Sequence, residues 1–174
     1  MKPIIITGGP GAGKTSIIDA LSLQGFATFP ESSRYLIEQQ SQLEQGILPW
    51  DNLAQFAELC LEHMQRQKEQ ALQVDGMSFM DRAIPDIVAY LKLGHQLVPD
   101  HIRNAGLGYH AQVFVCRPHS TIYVQDEVRP HSFEQACEVH DLIIDIYTEL
   151  GYKVIDVPWA SIEQRATYII QQLA

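Results

Sequence analysis

Gly8-Gly9-Pro10-Gly11-Ala12-Gly13-Lys14-Thr15 decides how the rest of this chain is read. These eight residues fit G-x-x-x-x-G-K-[ST], with Gly8, Gly13, Lys14 and Thr15 at the defining positions. The residue types follow from what a polyphosphate needs. Several donors must converge on it, and a glycine-rich turn can aim successive backbone N–H groups inward because no Cβ obstructs the approach. A helix starting near Gly13 adds its first N–H groups and the positive end of its dipole. In such a loop Lys14 reaches the β- and γ-phosphates, and Thr15 offers its hydroxyl to Mg²⁺. The expected nucleotide contacts are Gly9, Gly11, Ala12, Gly13, Lys14, Thr15 and Ser16, with ATP and Mg²⁺ as ligands.

The flanks agree with the motif. Lys2 to Thr7 is a short, β-branched apolar run suited to a strand buried on both faces. Beyond the loop, Ile17, Ile18 and Leu21 fall at helical spacing, and Gly25 suits a helix stop. Strand, loop, helix is the context a phosphate loop requires.

Further along, Gly25 to Pro30 reads as a second strand and Glu31-Ser32-Ser33-Arg34 as the opening of a helix. Glu31 has two readings: a dipole partner at the helix start, or a functional carboxylate at a strand end that faces the ligand crevice of an open α/β sheet. Asp51 or Asn52 can cap a long helix to about Gln73, with Phe56, Ala57, Cys60, Leu61 and Met64 on one face. Glu62, Arg66, Lys68 and Glu69 fall on the opposite face, expected to be solvated. Met77 to Asp81 is the third strand. A carboxylate ending an apolar strand after a phosphate loop suits the second Mg²⁺-organising position, so Thr15 and Asp81 form the candidate metal pair. The other reading of Asp81 is a cap on the next segment.

Helices are expected from Pro85 to Gly94 and from Pro99 to Gly106. A fourth strand runs over 112–116, a helix from Phe133 to Leu150, a fifth strand over 153–157, and a last helix capped by Ser161 with Gln164 three residues on. Between the fourth strand and its helix, residues 117–131 form a polar segment. It is either a lid that brings Arg129 to a transferring phosphoryl group or a surface excursion. Strands alternating with helices predict an α/β fold, a mainly parallel sheet covered on both faces. The 174 residues suit one domain, 1–174.

Composition excludes several classes. A formal charge of −9, from 12 Lys+Arg against 21 Asp+Glu, repels nucleic-acid backbones at long range. No apolar run approaches the roughly 18 residues of a membrane span. No basic region with an apolar signal core stands ahead of the first strand, and Cys60, Cys116 and Cys137 form no paired spacing, so a reducing cytoplasm is expected. The seven histidines show no ligand spacing, and no zinc site is expected. Neither N-K-x-D nor D-x-x-G occurs, which disfavours a GTPase switch.

The chain resembles the small P-loop NTPases of the kinase-like group, particularly bacterial AAA-domain ATPases akin to ribosylnicotinamide kinases. The matching pieces are I-T-G-G-P-G-A-G-K-T at Ile6–Thr15, P-E-S-S-R at Pro30–Arg34, F-M-D-R-A-I-P-D at Phe79–Asp86, D-E-V-R-P at Asp126–Pro130 and G-Y-K-V-I-D-V-P at Gly151–Pro158, with E-Q-R after them. The resemblance implies a three-layer fold with five parallel strands in the order 2-3-1-4-5. It implies Glu31 as general base toward an acceptor hydroxyl, and Asp81 and Arg82 serving metal, phosphates or acceptor. It also implies Arg34 and Asp86 in the acceptor pocket, and an adenine contact through the backbone around Pro158. Ala83 departs from the Ser or Gly frequent in related kinases.

Three functions follow as expectations. The first is a kinase that moves the ATP γ-phosphoryl group to a small, nucleoside-like hydroxyl acceptor, with Lys14, Glu31, Asp81, Arg82 and Arg129 as catalytic residues. The second is an ATPase or regulatory switch that uses water. The third is a module that binds nucleotide without turnover. A polar acceptor pocket at Glu31, Arg34 and Asp81-Arg82 favours the first, because water needs none.

Overall fold

The computed structural model of the chain describes residues 1–123 and 132–173. Five strands, β1 (Ile4–Thr7), β2 (Ala27–Phe29), β3 (Ser78–Asp81), β4 (Gln112–Val115) and β5 (Lys153–Asp156), form one sheet in the order β2-β3-β1-β4-β5. All pairings are parallel. The helices between them are α1 (Lys14–Leu23), α2 (Ser32–Gln40), α3 (Leu53–Leu72), α4 (Ile84–Leu93), α5 (Asp100–Ala105), α6 (Phe133–Glu149) and α7 (Ile162–Gln172). The expected five-stranded parallel order is the observed one.

Period-two side-chain alternation sorts the core into two layers. Ile4, Ile6, Phe79 and Phe114 face α1 and α7, packing with Ile17, Leu21, Ala166 and Ile169. Ile5, Met80, Val113 and Val115 face the opposite layer, which holds residues of α2, α3, α4 and α6. β1 and β3 are buried throughout, whereas the edge strands β2 and β5 are not. Each wholly buried isoleucine of β1 contributes about 1.5–3 kcal/mol. Ile4-Ile5-Ile6 of β1 reads as an unbroken apolar run for this reason.

Register places the chemistry. Ile6 lies opposite Asp81 in β3 and Phe114 in β4, so β1 and β3 end level and Asp81 emerges beside the loop that leaves β1. Helix starts are set locally: Asn52 accepts from Gln55 N at α3, and Ser132 and Ser161 make reciprocal caps with Gln135 and Gln164. One expectation needs correcting on the outer face of α3. Lys68 is half-buried and donates to the carbonyls of Ala105 and Leu107, its ammonium 4.4 Å from the Tyr109 ring centre. Its aliphatic stem reaches across to the end of α5 instead of into solvent. Among the described residues, no helix is long and apolar enough to cross a membrane.

Candidate active site

The loop between β1 and α1 owes its shape to glycine at two points. At Gly8 φ is 127°, and an added Cβ would sit 2.1 Å from the Cys116 carbonyl oxygen. At Gly13, the residue before α1, φ is 74°, a left-handed conformation that costs other residues about 1–2 kcal/mol. The turn then wraps round Lys14, whose ammonium donates to the Gly9 carbonyl at 2.9 Å. Burial pulls this ammonium down to about 8 and Arg82 adds repulsion, while Asp81 and Glu31 draw it back up.

Thr15 Oγ1 donates to Asp81 Oδ2 at 2.7 Å. The other oxygen of Asp81, Oδ1, is buried without a hydrogen-bond partner among the described residues. An unmatched carboxylate oxygen beside a threonine hydroxyl at the mouth of a phosphate loop is a donor set of the hard-oxygen kind that Mg²⁺ takes along with phosphates and water. Thr15 and Asp81 therefore fit Mg²⁺. Among the described residues, no group of three or more His, Cys, Asp or Glu could hold a metal alone.

Arg82 follows Asp81 with φ at 68°, an unusual conformation for a side-chain-bearing residue. Its N–H still extends the sheet by donating to the Ile6 carbonyl at 2.9 Å. The turn sends its guanidinium between two carboxylates. Nη1 donates to Asp86 Oδ1 at 2.8 Å, and Nε lies 3.4 Å from Glu31 Oε1. Burial works against the Arg82 charge, and Tyr90, Glu31, Asp86 and Asp81 outweigh it.

Asp86 is saturated. Oδ1 accepts from Thr7 Oγ1 (2.5 Å) and Arg82, and Oδ2 accepts from the Ala83 N–H (3.1 Å) and Tyr147 Oη (2.7 Å). Ala83 stands at the cap of α4 without a side-chain acceptor, so the reach-back of Asp86 serves that helix start. Glu31 is poised differently. Ser33 donates to its Oε1 at 2.7 Å. Burial alone would raise its carboxyl, yet Arg82, Lys14, Ser33 and Arg34 overcome that and hold it at about 2. This carboxylate is ionised throughout the neutral range.

A cavity of ≈ 740 Å³ joins these groups, within the size range of small-molecule sites. Pro10 to Ser16 form one end, and Glu31, Arg34, Arg82 and Asp86 line its middle. Past them it runs between α2, α3 and α4 toward Pro49 and Trp50. Gly9 is not on the wall: its N–H points to His140 Nδ1 at 3.3 Å. Asp81 lies behind Thr15. Pro158 is exposed and off the wall, while its neighbour Trp159 lines the cavity beside Ile162 and Ile122. The Trp159 ring stacks on His119, 3.7 Å between centroids. Arg129 and the rest of 124–131 lie outside the described residues.

Two residues beneath the loop take no site role from the sequence, although Arg165 closes the E-Q-R piece. Arg165, wholly buried on α7, donates to the Ala12 carbonyl at 3.0 Å, and its Nε and Nη1 find no hydrogen-bond acceptor among the described residues. His140, wholly buried on α6, is kept neutral near physiological pH. Burial first and Arg117 second depress its pKa to about 4. A sequence signal did exist for Arg165: it interrupts the inward stripe of Ile162, Ala166 and Ile169 with a charge. His140 sits similarly beside Ala136, Val139 and Ile143.

A family model described as AAA domain matches residues 3–165. No curated protein sequence is significantly similar to the chain. Solved structures share its fold at low identity. A deoxyadenosine kinase from M. mycoides, with products dCMP and dCDP, superposes with a TM-score of 0.68 at 16% identity, covering 98% of this chain and 97% of that one. NadR in complex with NR gives 0.73 at 15% identity, and 98% of this chain corresponds to 51% of that protein. A thymidylate kinase from Ehrlichia chaffeensis gives 0.60 at 21% identity, covering 99% of each.

Proposed function

The chain belongs to the AAA-domain family, and from that premise we propose that it is a Mg²⁺-dependent kinase that moves the γ-phosphoryl group of ATP to the hydroxyl of a small molecule. The observation that carries this reading is one continuous cavity, with Lys14 and the glycine loop at one end, Glu31 and Arg82 in the middle, and an arm beyond them. Hydrolysis by water would leave that arm without purpose.

In this reading the loop N–H groups and Lys14 bind the β- and γ-phosphates. Thr15 and Asp81 hold Mg²⁺, which when bound neutralises charge on the phosphate oxygens. The acceptor oxygen forms its bond to Pγ as the bond from Pγ to the bridging oxygen breaks, and ADP leaves. Glu31 accepts the hydrogen bond of the acceptor hydroxyl, orients it, and takes its proton. A carboxylate held at about 2 is a weak base, which suits a loose transition state in which the proton departs late. Arg82 stays charged beside it and offsets the charge that develops. Asp86 fixes Arg82, and Arg34 lines the same stretch of wall. The acceptor that the sequence resemblance implies is a nucleoside, whose ribose hydroxyl would lie at Glu31.

The test is ADP release from Mg-ATP, with and without nucleosides and simple alcohols. One acceptor should raise release sharply and yield a phosphorylated product. Glu31→Gln should lower that transfer by roughly 10²–10⁴-fold with ATP affinity kept within a few-fold. Release indifferent to every acceptor and to Glu31→Gln would replace this reading with the ATPase switch.

A further inference from the structure

Past Glu31 and Arg82 the cavity changes character. Helix α3 supplies Phe56, Ala57, Cys60 and Met64, and α2 and α4 close over them with Ile37 and Ile87. All six are more than nine-tenths buried yet border open volume. The Met64 thioether is at most a weak acceptor, and the only hydrogen-bond donor among their side chains is the Cys60 thiol. Burial pushes it up to about 12, so it stays protonated and packs as a small apolar group. At these six positions, away from the open ends of α3 and α4, the backbone is engaged in its own helix.

Polar side chains gather at the opposite end of the arm. Glu31, Ser33, Arg34, Arg82 and Asp86 all lie there, and Asp86 already accepts from four donors. Tyr90 lays its ring 5.6 Å from the Arg82 guanidinium. Trp50, 57% exposed, stands toward solvent. Between these limits the wall offers carbon and sulfur.

From this separation we propose that the acceptor is an alcohol with an apolar body, aromatic or alkyl, whose hydroxyl is its one polar group at the Glu31 end. A nucleoside base or a polyhydroxy sugar would exchange water for a wall without partners. Each unpaired polar group costs roughly five- to a hundredfold in affinity. An apolar body gains by leaving water. In the transfer, the alcohol oxygen bonds to Pγ, the bond from Pγ to ADP breaks, and the hydroxyl proton passes to Glu31 and on to water. The product is a monophosphate ester and ADP.

The inference rests on the transfer reading for its chemistry but not for binding, so the two fail separately. Calorimetric titration of the full chain, held with AMP-PNP, would compare 2-phenylethanol and 1-hexanol with adenosine and uridine. At least one alcohol should bind roughly tenfold or more tightly than either nucleoside. Ala57→Phe, which fills the arm, should abolish the alcohol signal while AMP-PNP still binds. Met64→Gln, which puts an amide on the wall at similar volume, should shrink the alcohol preference should the larger substitution prevent folding. Nucleosides binding as tightly as the alcohols, no alcohol binding at all, or binding indifferent to both variants overturns the proposal. A bound alcohol that never raises ADP release leaves the ligand class standing and sinks the transfer reading. A nucleoside that is phosphorylated does the reverse.

Discussion

At the loop end of the cavity the binding groups are backbone N–H groups, a buried ammonium and a hydroxyl paired with a carboxylate. At the α3 end they are the side chains of Phe56, Ala57, Cys60 and Met64. The first end is over-determined: Asp86 and Glu31 flank Arg82, Asp86 accepts from four donors, and Thr15 donates to Asp81, so removing an acceptor strands its donors. The second end is held by packing, which tolerates exchange of one apolar side chain for another of similar volume. Under the proposed transfer, a fold built this way would change its acceptor without disturbing its nucleotide. Charge needs fixed partners, and apolar surface needs only complementary volume.

The sharpest way to break that contrast is at the seam between the ends. Asp86→Ala leaves Thr7, Arg82, the Ala83 N–H and Tyr147 without their acceptor, and strands a buried cation. A loss of about 3–5 kcal/mol in urea unfolding is expected. A loss under 1 kcal/mol would show that the loop end is not interlocked. Lys14→Ala comes next: nucleotide turnover should fall by roughly 10²–10³-fold, read as ADP release, with little change in thermal stability.

Phe56→Ala probes the other end. It should lower stability by about 3 kcal/mol and leave the ATP dissociation constant unchanged. A shift in ATP affinity of tenfold or more would mean that the two ends are coupled after all. The smallest effect belongs to His140. Its folded pKa of about 4 lies below the unfolded value near 6.5, so the unfolded chain binds the extra proton between those limits. Stability should fall as pH drops from 6.5 toward 4, by about 2 kcal/mol, and His140→Asn should flatten that slope. An identical slope in the variant would assign the acid sensitivity to other groups.

Legibility in the sequence followed the same divide. The strand before the loop, the helix after it and the cap at Asp51 or Asn52 could be placed because each depends on residues a few positions apart, and Asn52 proves to be the cap. Asp81 and Glu31 could be nominated because a strand end in a parallel sheet faces the crevice. Lys68 could not be placed: its spacing on α3 is that of a solvent face, and only the carbonyls of Ala105 and Leu107, nearly forty residues on, explain its burial. The turn around Pro158 was expected to contact adenine through its backbone; the neighbouring Trp159 side chain lines the cavity, a direction that no periodicity fixes in a turn.

By itself the sequence determined the glycine loop, the alternation of strands and helices, and hence a parallel sheet with its phosphate site at the end of β1. These rest on backbone conformation and local side-chain period, which neighbouring residues control. Only the tertiary structure decided that Asp86 would be spent on four donors, that Arg165 and His140 would underpin the loop, and that three helices would enclose an apolar arm beside Glu31. Those outcomes depend on distances between residues up to 153 positions apart. Such distances are set by how the layers pack, and packing is a property of the whole chain.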